Sequence, residues 1–147
     1  MGYTHYWRQS ADFTTDQWSA ICKDTRKIIA YCGTWGIALQ HEYDDPRPAV
    51  VKKSEIRFNG AGHDGHETFY ISRNPTDAEK EFSFCKTERK PYDLAVCLCL
   101  LRIAYHCPAI TISSDGYRWR DEHWDSNWLT AKAAYTHLFK EEPPQAF

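Results

Sequence analysis

The sequence predicts a single α+β domain in which a mostly antiparallel sheet has its helices packed on one face. Three observations predict this fold class. Short stretches with apolar residues at every second position, typical of strands, alternate with longer stretches of helical periodicity. A glycine-rich segment separates two of the strands, as in a hairpin. The length of 147 residues suits one domain. We expect that domain over residues 1–140, with a loose tail over residues 141–147.

The first two elements are a strand and an amphipathic helix. Aromatic rings at every second position predict a strand that begins almost at the first residue. These rings belong to Tyr3, His5 and Trp7. Thr14 and Gln17 have the spacing of a capping box, and apolar residues then recur at every third or fourth position as far as Gly33. A surface helix is therefore expected between Thr14 and Gly33.

Short strands are predicted for the middle of the chain. They are expected over residues 37–41, 54–59, 68–72 and 82–85. Glycines over residues 60–65 indicate a hairpin loop between the second and third of these strands, and residues 74–77 have the composition of a turn. Phe82 and Phe84 are two positions apart and so share one face of the last strand.

The most apolar helix is predicted from Pro91 to about His106. It is apolar nearly all round, so we expect it to be central and to pack on the sheet. Pro108 ends it, and a last strand follows over residues 109–113. The polar, Trp-rich residues 117–127 are interpreted as a loop, and a final helix is expected over residues 128–139.

Composition and charge exclude several classes of function. A formal net charge of -2 provides no broad basic surface, so we expect no binding of duplex nucleic acid. The longest apolar run is too short to cross a bilayer, and the first residues lack the pattern of a signal peptide. We therefore expect a cytoplasmic protein with six reduced cysteines, no membrane partner and no cofactor. A homo-oligomer is left open.

A candidate anion site lies at the junction between the last middle strand and the apolar helix. Lys86, Thr87, Arg89 and Lys90 bring three cations and a hydroxyl to a predicted helix N-terminus, where free N–H groups point outward. The alternative is a solvated turn with basic residues.

Six short motifs resemble those of one family of small proteins from tailed phages and bacterial genomes. The motifs are Gly2-Tyr3-Thr4-His5-Tyr6-Trp7, Phe58-Asn59-Gly60, Glu67-Thr68-Phe69, Phe84-Cys85-Lys86-Thr87, Arg89-Lys90-Pro91-Tyr92-Asp93 and Ser114-Asp115-Gly116. They cover most of the chain, although residues 117–127 depart from the family by being longer and more aromatic. The resemblance implies a phage accessory protein, and no reaction comes with it.

Aromatic and basic residues together suggest a nucleotide ligand. Bases stack on flat rings, and phosphates are bound by Lys, Arg or backbone N–H groups. The candidate ligand-binding residues are Tyr3, His5, Trp7, Asn59, Lys86, Thr87, Arg89, Tyr92, Asp115 and Trp124. Because phage accessory proteins of this size often counter host immunity, the resemblance implies sequestration of a nucleotide or cyclic oligonucleotide immune signal.

Two other classes of function are weighed against binding. A phosphodiesterase-type hydrolase would use His5 and Asp115 as acid and base, or Cys85 as a nucleophile activated by Lys86. No known catalytic motif accompanies them, so no catalytic residue is assigned. An inhibitor of a host protein would use the Trp-rich loop as its contact surface.

The glycine-rich loop contains candidate metal ligands. His63, Asp64, His66 and Glu67 lie close together there, but no Cys or His elsewhere completes a recognisable pattern. No metal is therefore predicted.

Overall fold

The fold is described from a computed structural model that covers residues 2–145 and residue 147. The strands are β1 (Thr4–Gln9), β2 (Leu39–Gln40), β3 (Val50–Val51), β4 (Glu55–Gly60), β5 (Phe69–Ser72), β6 (Ser83–Lys86), β7 (Ile110–Ser114), β8 (Tyr117–Arg118) and β9 (His123–Trp124). The helices are α1 (Thr15–Thr34), α2 (Asp77–Glu81), α3 (Asp93–His106) and α4 (Ser126–Phe139).

Strand β1 is the centre of an antiparallel sheet with the order β6-β1-β7. Its pairing with β6 places Tyr6 opposite Phe84, and its pairing with β7 places Tyr6 opposite Ser113. In a second antiparallel sheet, β4 pairs with β2, β3 and β5. The predicted α+β fold class is confirmed.

Helix α3 is the centre of the hydrophobic core. Nearly every residue from Ala95 to Ala104 is buried, because α1, α4 and the inward side of the sheet all pack against this helix. Arg102 alone carries a charge on this stretch, and its guanidinium bonds to the Asp24 and Glu141 carboxylates at 2.6 Å each. The expectation of a central apolar helix is therefore confirmed.

Several elements differ from the predictions, each for a local reason. Residues 117–127 contain the β8–β9 hairpin, in which the Tyr117 and Trp124 rings lie 4.2 Å apart, rather than a loop alone. Thr76 caps Glu79 in a capping box, so the predicted turn continues into the short helix α2. Gly33 lies inside α1, which ends one residue later. Phe147 packs on Trp124, so this part of the predicted loose tail contacts the domain.

Across residues 2–145 and residue 147, none of the helices has both the length and the apolar character needed to cross a membrane.

Candidate functional site

The two faces of β1 have different environments. Tyr3, just before the strand, and His5 and Trp7 within it point toward the core and are at most 3% exposed. Tyr6 and Arg8 point to the opposite side, where Arg8 is exposed and lies beside the short helix α2. The inward set is the one that the sequence suggested for ligand contact. Its burial corrects that expectation, because a ligand on the surface does not reach these side chains.

His5 is the centre of a buried hydrogen-bond network. Its Nδ1 lies 2.7 Å from Ser114 Oγ on β7, and its Nε2 lies 2.6 Å from Asp93 Oδ1 at the start of α3. Ser114 Oγ also accepts hydrogen bonds from the indole N–H of Trp128 at 2.8 Å and from the backbone N–H of Gly116 at 3.0 Å. The network thus joins the central strand to β7, α3 and α4.

The hydrogen bonds of Ser114 determine which nitrogen of His5 carries the proton. A hydroxyl oxygen has two lone pairs, and both of those on Ser114 accept N–H donors. The hydroxyl proton is therefore donated to Nδ1 of His5. Nε2 then carries the ring proton and donates it to Asp93.

Asp93 accepts a hydrogen bond at each of its four lone-pair positions. His5 and the Thr87 hydroxyl donate to Oδ1, the latter at 2.5 Å. The Asn127 amide at 2.9 Å and the Cys97 thiol at 3.4 Å donate to Oδ2. Burial raises the pKa of Asp93, but the hydrogen bonds from His5, Thr87 and Asn127 outweigh it and hold the pKa below the ordinary value. The positive end of α3 also favours the carboxylate at this position.

The same cluster has a metal-like composition but does not fit a metal. One ligand atom each from His5, Asp93 and Cys97 lie within 4.8 Å of one another. A metal on this histidine would bind Nε2, which must then be free of its proton. The donors around Ser114 place the proton on Nε2, and Asp93 is already fully hydrogen bonded. Burial also raises the pKa of the Cys97 thiol well above its ordinary value, which opposes the thiolate that a metal requires.

The predicted anion site at the start of α3 has a different organisation from the one expected. Thr87 is fully buried and bonds to Asp93. The Arg89 guanidinium stacks on the Tyr3 ring at 4.0 Å and donates to Asp125 at 2.9 Å. Thr87 and Arg89 are therefore engaged within the protein, whereas Lys86 and Lys90 form no ion pair among the described residues.

The hydrolase arrangement does not form. Cys85 is fully buried, and burial and then the Glu67 carboxylate raise the pKa of its thiol, so Lys86 and the helix N-terminus do not activate it. His5 faces the core, whereas Asp115 lies on the outer side of the sheet. These placements separate the proposed acid, base and nucleophile.

Three other predicted residues make their contacts within the domain. Asn59 is buried in the β4–β5 hairpin, where its side chain bonds to the backbone of His66. Tyr92 is buried, and its hydroxyl donates to the Glu67 carbonyl at 2.6 Å. Trp124 is half-buried against Tyr117, and the Lys132 ammonium lies 3.5 Å from its ring centroid.

Three aromatic side chains lie together on the outer face of the β6-β1-β7 sheet. Phe82 is 55% exposed, Phe84 is 52% exposed, and Tyr6 is half-buried between the strands. The Phe82 centroid lies 6.0 Å from that of Tyr6, in a stacked arrangement, and 5.6 Å from that of Phe84. The Tyr6 hydroxyl donates to Asp115 at 3.3 Å. We call Tyr6, Phe82 and Phe84 the outer aromatic face.

Cations flank the outer aromatic face along the strands. Lys86 follows Phe84 by two positions on β6, and Arg8 follows Tyr6 by two positions on β1. Neither forms an ion pair with any carboxylate within residues 2–145 or residue 147. Ser113 and Thr111 on β7 add exposed hydroxyls beside them. The surface thus offers flat rings, hydroxyls and two unpaired cations to solvent.

Strands β1 and β6 are paired, as the candidate site requires, but the candidate residues of β1 lie on its buried face. Both faces of this strand carry aromatic rings, so alternation alone does not distinguish the inward side. The sequence does contain a pattern that indicates the solvent side. Arg8 is two positions from Tyr6 and Lys86 is two positions from Phe84, so each cation shares a strand face with a ring, and cations lie mostly on the solvent side.

In comparisons with known proteins, the chain matches no family model, no curated protein and no solved structure.

Proposed function

We propose that this protein binds a nucleotide or a short oligonucleotide, linear or cyclic, on the outer aromatic face. The observation that carries the proposal is the contact of Tyr6 with Phe82 and of Phe82 with Phe84 on the outer face of the sheet, with Lys86 and Arg8 beside them. An antiparallel sheet with exposed rings and helices on its other side is a common platform for unpaired bases. Each stacked base contributes about 1–3 kcal/mol, and the rings accept any base.

The proposed ligand is single-stranded or monomeric for reasons of charge and shape. The sheet surface is flat, and its two cations are local, so it suits one or two phosphates rather than a duplex backbone. Capture without cleavage is the proposed outcome, because His5 and Cys85 are buried and do not join Asp115 on this face. The phage origin implied by the sequence motifs extends this to sequestration of a nucleotide immune signal.

The direct test is depletion of nucleotides from a defined panel, followed by heat release and chromatography. The panel contains mononucleotides, linear dinucleotides and cyclic di- and trinucleotides. We expect one class to be depleted and then recovered intact. Recovery of an altered product would show hydrolysis, and the absence of any depletion would contradict the proposal.

Substitution of Phe84 by Leu tests whether the outer aromatic face is the nucleotide-binding site. Leucine keeps the apolar surface but removes the flat ring, so we expect affinity for the depleted nucleotide to fall by about 1–3 kcal/mol. Trp35→Leu is the matched control, because Trp35 is an exposed ring, 67% accessible, at the end of α1. Both affinities would be measured by calorimetry. Equal binding by Phe84→Leu and wild type would show that the outer aromatic face is not the site.

A second candidate is direct binding of a host protein, and one observation favours it. Trp119, in the β8–β9 hairpin, is 75% exposed, and large exposed indoles often anchor protein contacts. Trp124 and Trp128 pack inside the domain and do not share that surface. Under this alternative, Trp119→Ala abolishes inhibition of the partner. Nucleotide binding is then the same in Trp119→Ala and wild type, or is absent from both.

A further inference from the structure

A separate cleft lies between α1 and the loops that follow β3 and β5. Its volume is about 340 Å³, and α1 contributes one wall with residues spaced along a single helix face. Trp18 and Cys22 form an apolar floor, and both are buried. The Trp18 indole N–H donates to the Lys52 carbonyl at 3.0 Å, which fixes the ring against the adjoining loop.

The charged side chains of this cleft all have the same sign. Arg26, Lys53 and Arg73 line it, and no carboxylate does. None of the three forms an ion pair within the part of the chain that the structure describes. Arg26 donates to the Val51 carbonyl at 3.0 Å, and Arg73 donates to the Thr15 hydroxyl at 2.8 Å. Three cations that converge without an acid leave an excess of positive charge.

Arg73 has an unsatisfied donor beside this cleft. Its Nε is buried and has no hydrogen-bond partner within the described residues. A buried donor of a charged group without an acceptor costs about 1–3 kcal/mol, so such groups call for an explanation. This donor is closed to solvent, so Arg73 contributes to the cleft through the positive charge of its guanidinium.

We propose that this cleft binds an amphipathic organic anion, with its phosphate, sulfonate or carboxylate head against Arg26, Lys53 and Arg73. The apolar body of the ligand lies along the aliphatic stems of these side chains, above the edges of Trp18 and Cys22 that the cleft exposes. The guanidinium groups provide charge-assisted hydrogen bonds, and the apolar floor provides the rest of the binding free energy. This site lies on α1 and is separate from the outer aromatic face.

The test uses two fluorescent probes that differ in the anionic head. Anilinonaphthalenesulfonate carries a sulfonate, and phenylnaphthylamine is its neutral counterpart. We expect the folded full-length chain to bind the sulfonate saturably and at least about tenfold more tightly than the neutral probe. The indole N–H resonance of Trp18 should shift with the same saturation curve. Equal affinities, an unmoved Trp18 signal or no sulfonate binding would each overturn the proposal.

Variants locate the site. Lys53→Gln and Arg26→Gln should each weaken sulfonate binding by about tenfold, because each removes a charge-assisted contact. Lys23→Gln is the matched control, since Lys23 is an exposed cation on α1 outside the cleft. Phe84→Leu should leave the affinity unchanged. If Lys53→Gln and Arg26→Gln both bind like Lys23→Gln, the three cations do not form the site.

Discussion

At the scale of single residues, the buried carboxylate of Asp93 depends on a complete set of hydrogen-bond donors. It is almost fully buried, and its charge is stabilised by donors from His5, Thr87, Asn127 and Cys97 and by the N-terminus of α3. Buried charges are tolerated only when such donors are complete. The loss of one oxygen acceptor therefore has a large effect on folding.

Substitution of Asp93 by Asn should destabilise the fold. The new amide places a donor opposite the Asn127 amide, so the unfolding free energy should fall by at least about 1–3 kcal/mol. Asp44→Asn is the control, because Asp44 is exposed and its substitution should change stability by less than about 0.5 kcal/mol. Urea unfolding would measure both. Equal stabilities of the two variants would contradict the assigned role of Asp93.

The pH dependence of stability follows from the same carboxylate. The pKa of Asp93 is lower in the folded protein than in the unfolded chain, so its contribution is present above the unfolded pKa of about 4. That contribution is lost as the pH falls through the folded pKa. Wild type should therefore lose more stability than Asp93→Asn between about pH 5 and pH 3. Parallel urea titrations check this, and identical slopes would contradict it.

At the scale of elements, the tight turn between β6 and α3 carries conformational strain. Glu88 and Arg89 both have positive φ, at 50° and 59°, and the Lys90 N–H donates to the Thr87 carbonyl at 3.0 Å. Two successive left-handed residues are typical of turns that contain Gly or Asn. Here the turn directs Arg89 toward Tyr3 and Asp125, which compensates for the strain.

Glu88→Gly should relieve part of this strain. The left-handed conformation costs a non-glycine residue about 1–2 kcal/mol, and glycine removes this cost. Glycine also loses more conformational entropy on folding, which offsets about 0.5–1 kcal/mol of the gain. The exposed His66–Glu88 pair adds little. We expect a gain of up to about 1 kcal/mol by thermal unfolding. Lys90→Gly, at a position without positive φ, is the control and should be destabilising. If both variants lose stability equally, the turn is unstrained.

Element positions were predictable from the sequence where periodicity was strong. The α1 cap at Thr14, the β4–β5 hairpin and the apolar helix α3 all follow from local patterns. The buried network was not predictable, because His5, Asp93 and Ser114 are distant in sequence and meet only when the strands pair. An acidic residue in the first turn of a helix is common, so the position of Asp93 in the sequence gives no sign of its contacts with His5 and Asn127.

At the scale of the whole molecule, the cysteines report on the integrity of the core. All six are free and buried. Burial raises the pKa of the Cys32 thiol to about 11, and a protonated thiol reacts slowly. Their reaction therefore requires opening of the domain.

A thiol reagent should detect essentially no reactive cysteine in the folded protein and all six after denaturation, without prior reduction. The measurement is absorbance of the released chromophore with and without guanidinium. Rapid labelling of two or more thiols in native buffer would show that α3 is less well packed than described. Fewer than six thiols after denaturation would instead reveal disulfides.

Side chains of β1 point alternately into the core and to the surface, so substitutions in this strand have two kinds of effect. A substitution at His5 or Trp7 is filtered by folding before any activity is expressed, whereas one at Tyr6 or Arg8 changes the surface of an intact domain. Selection for a new ligand can therefore act on alternate codons of one short stretch. A single-residue insertion in that stretch has no such freedom, because it exchanges the two faces and loses the core and the surface together.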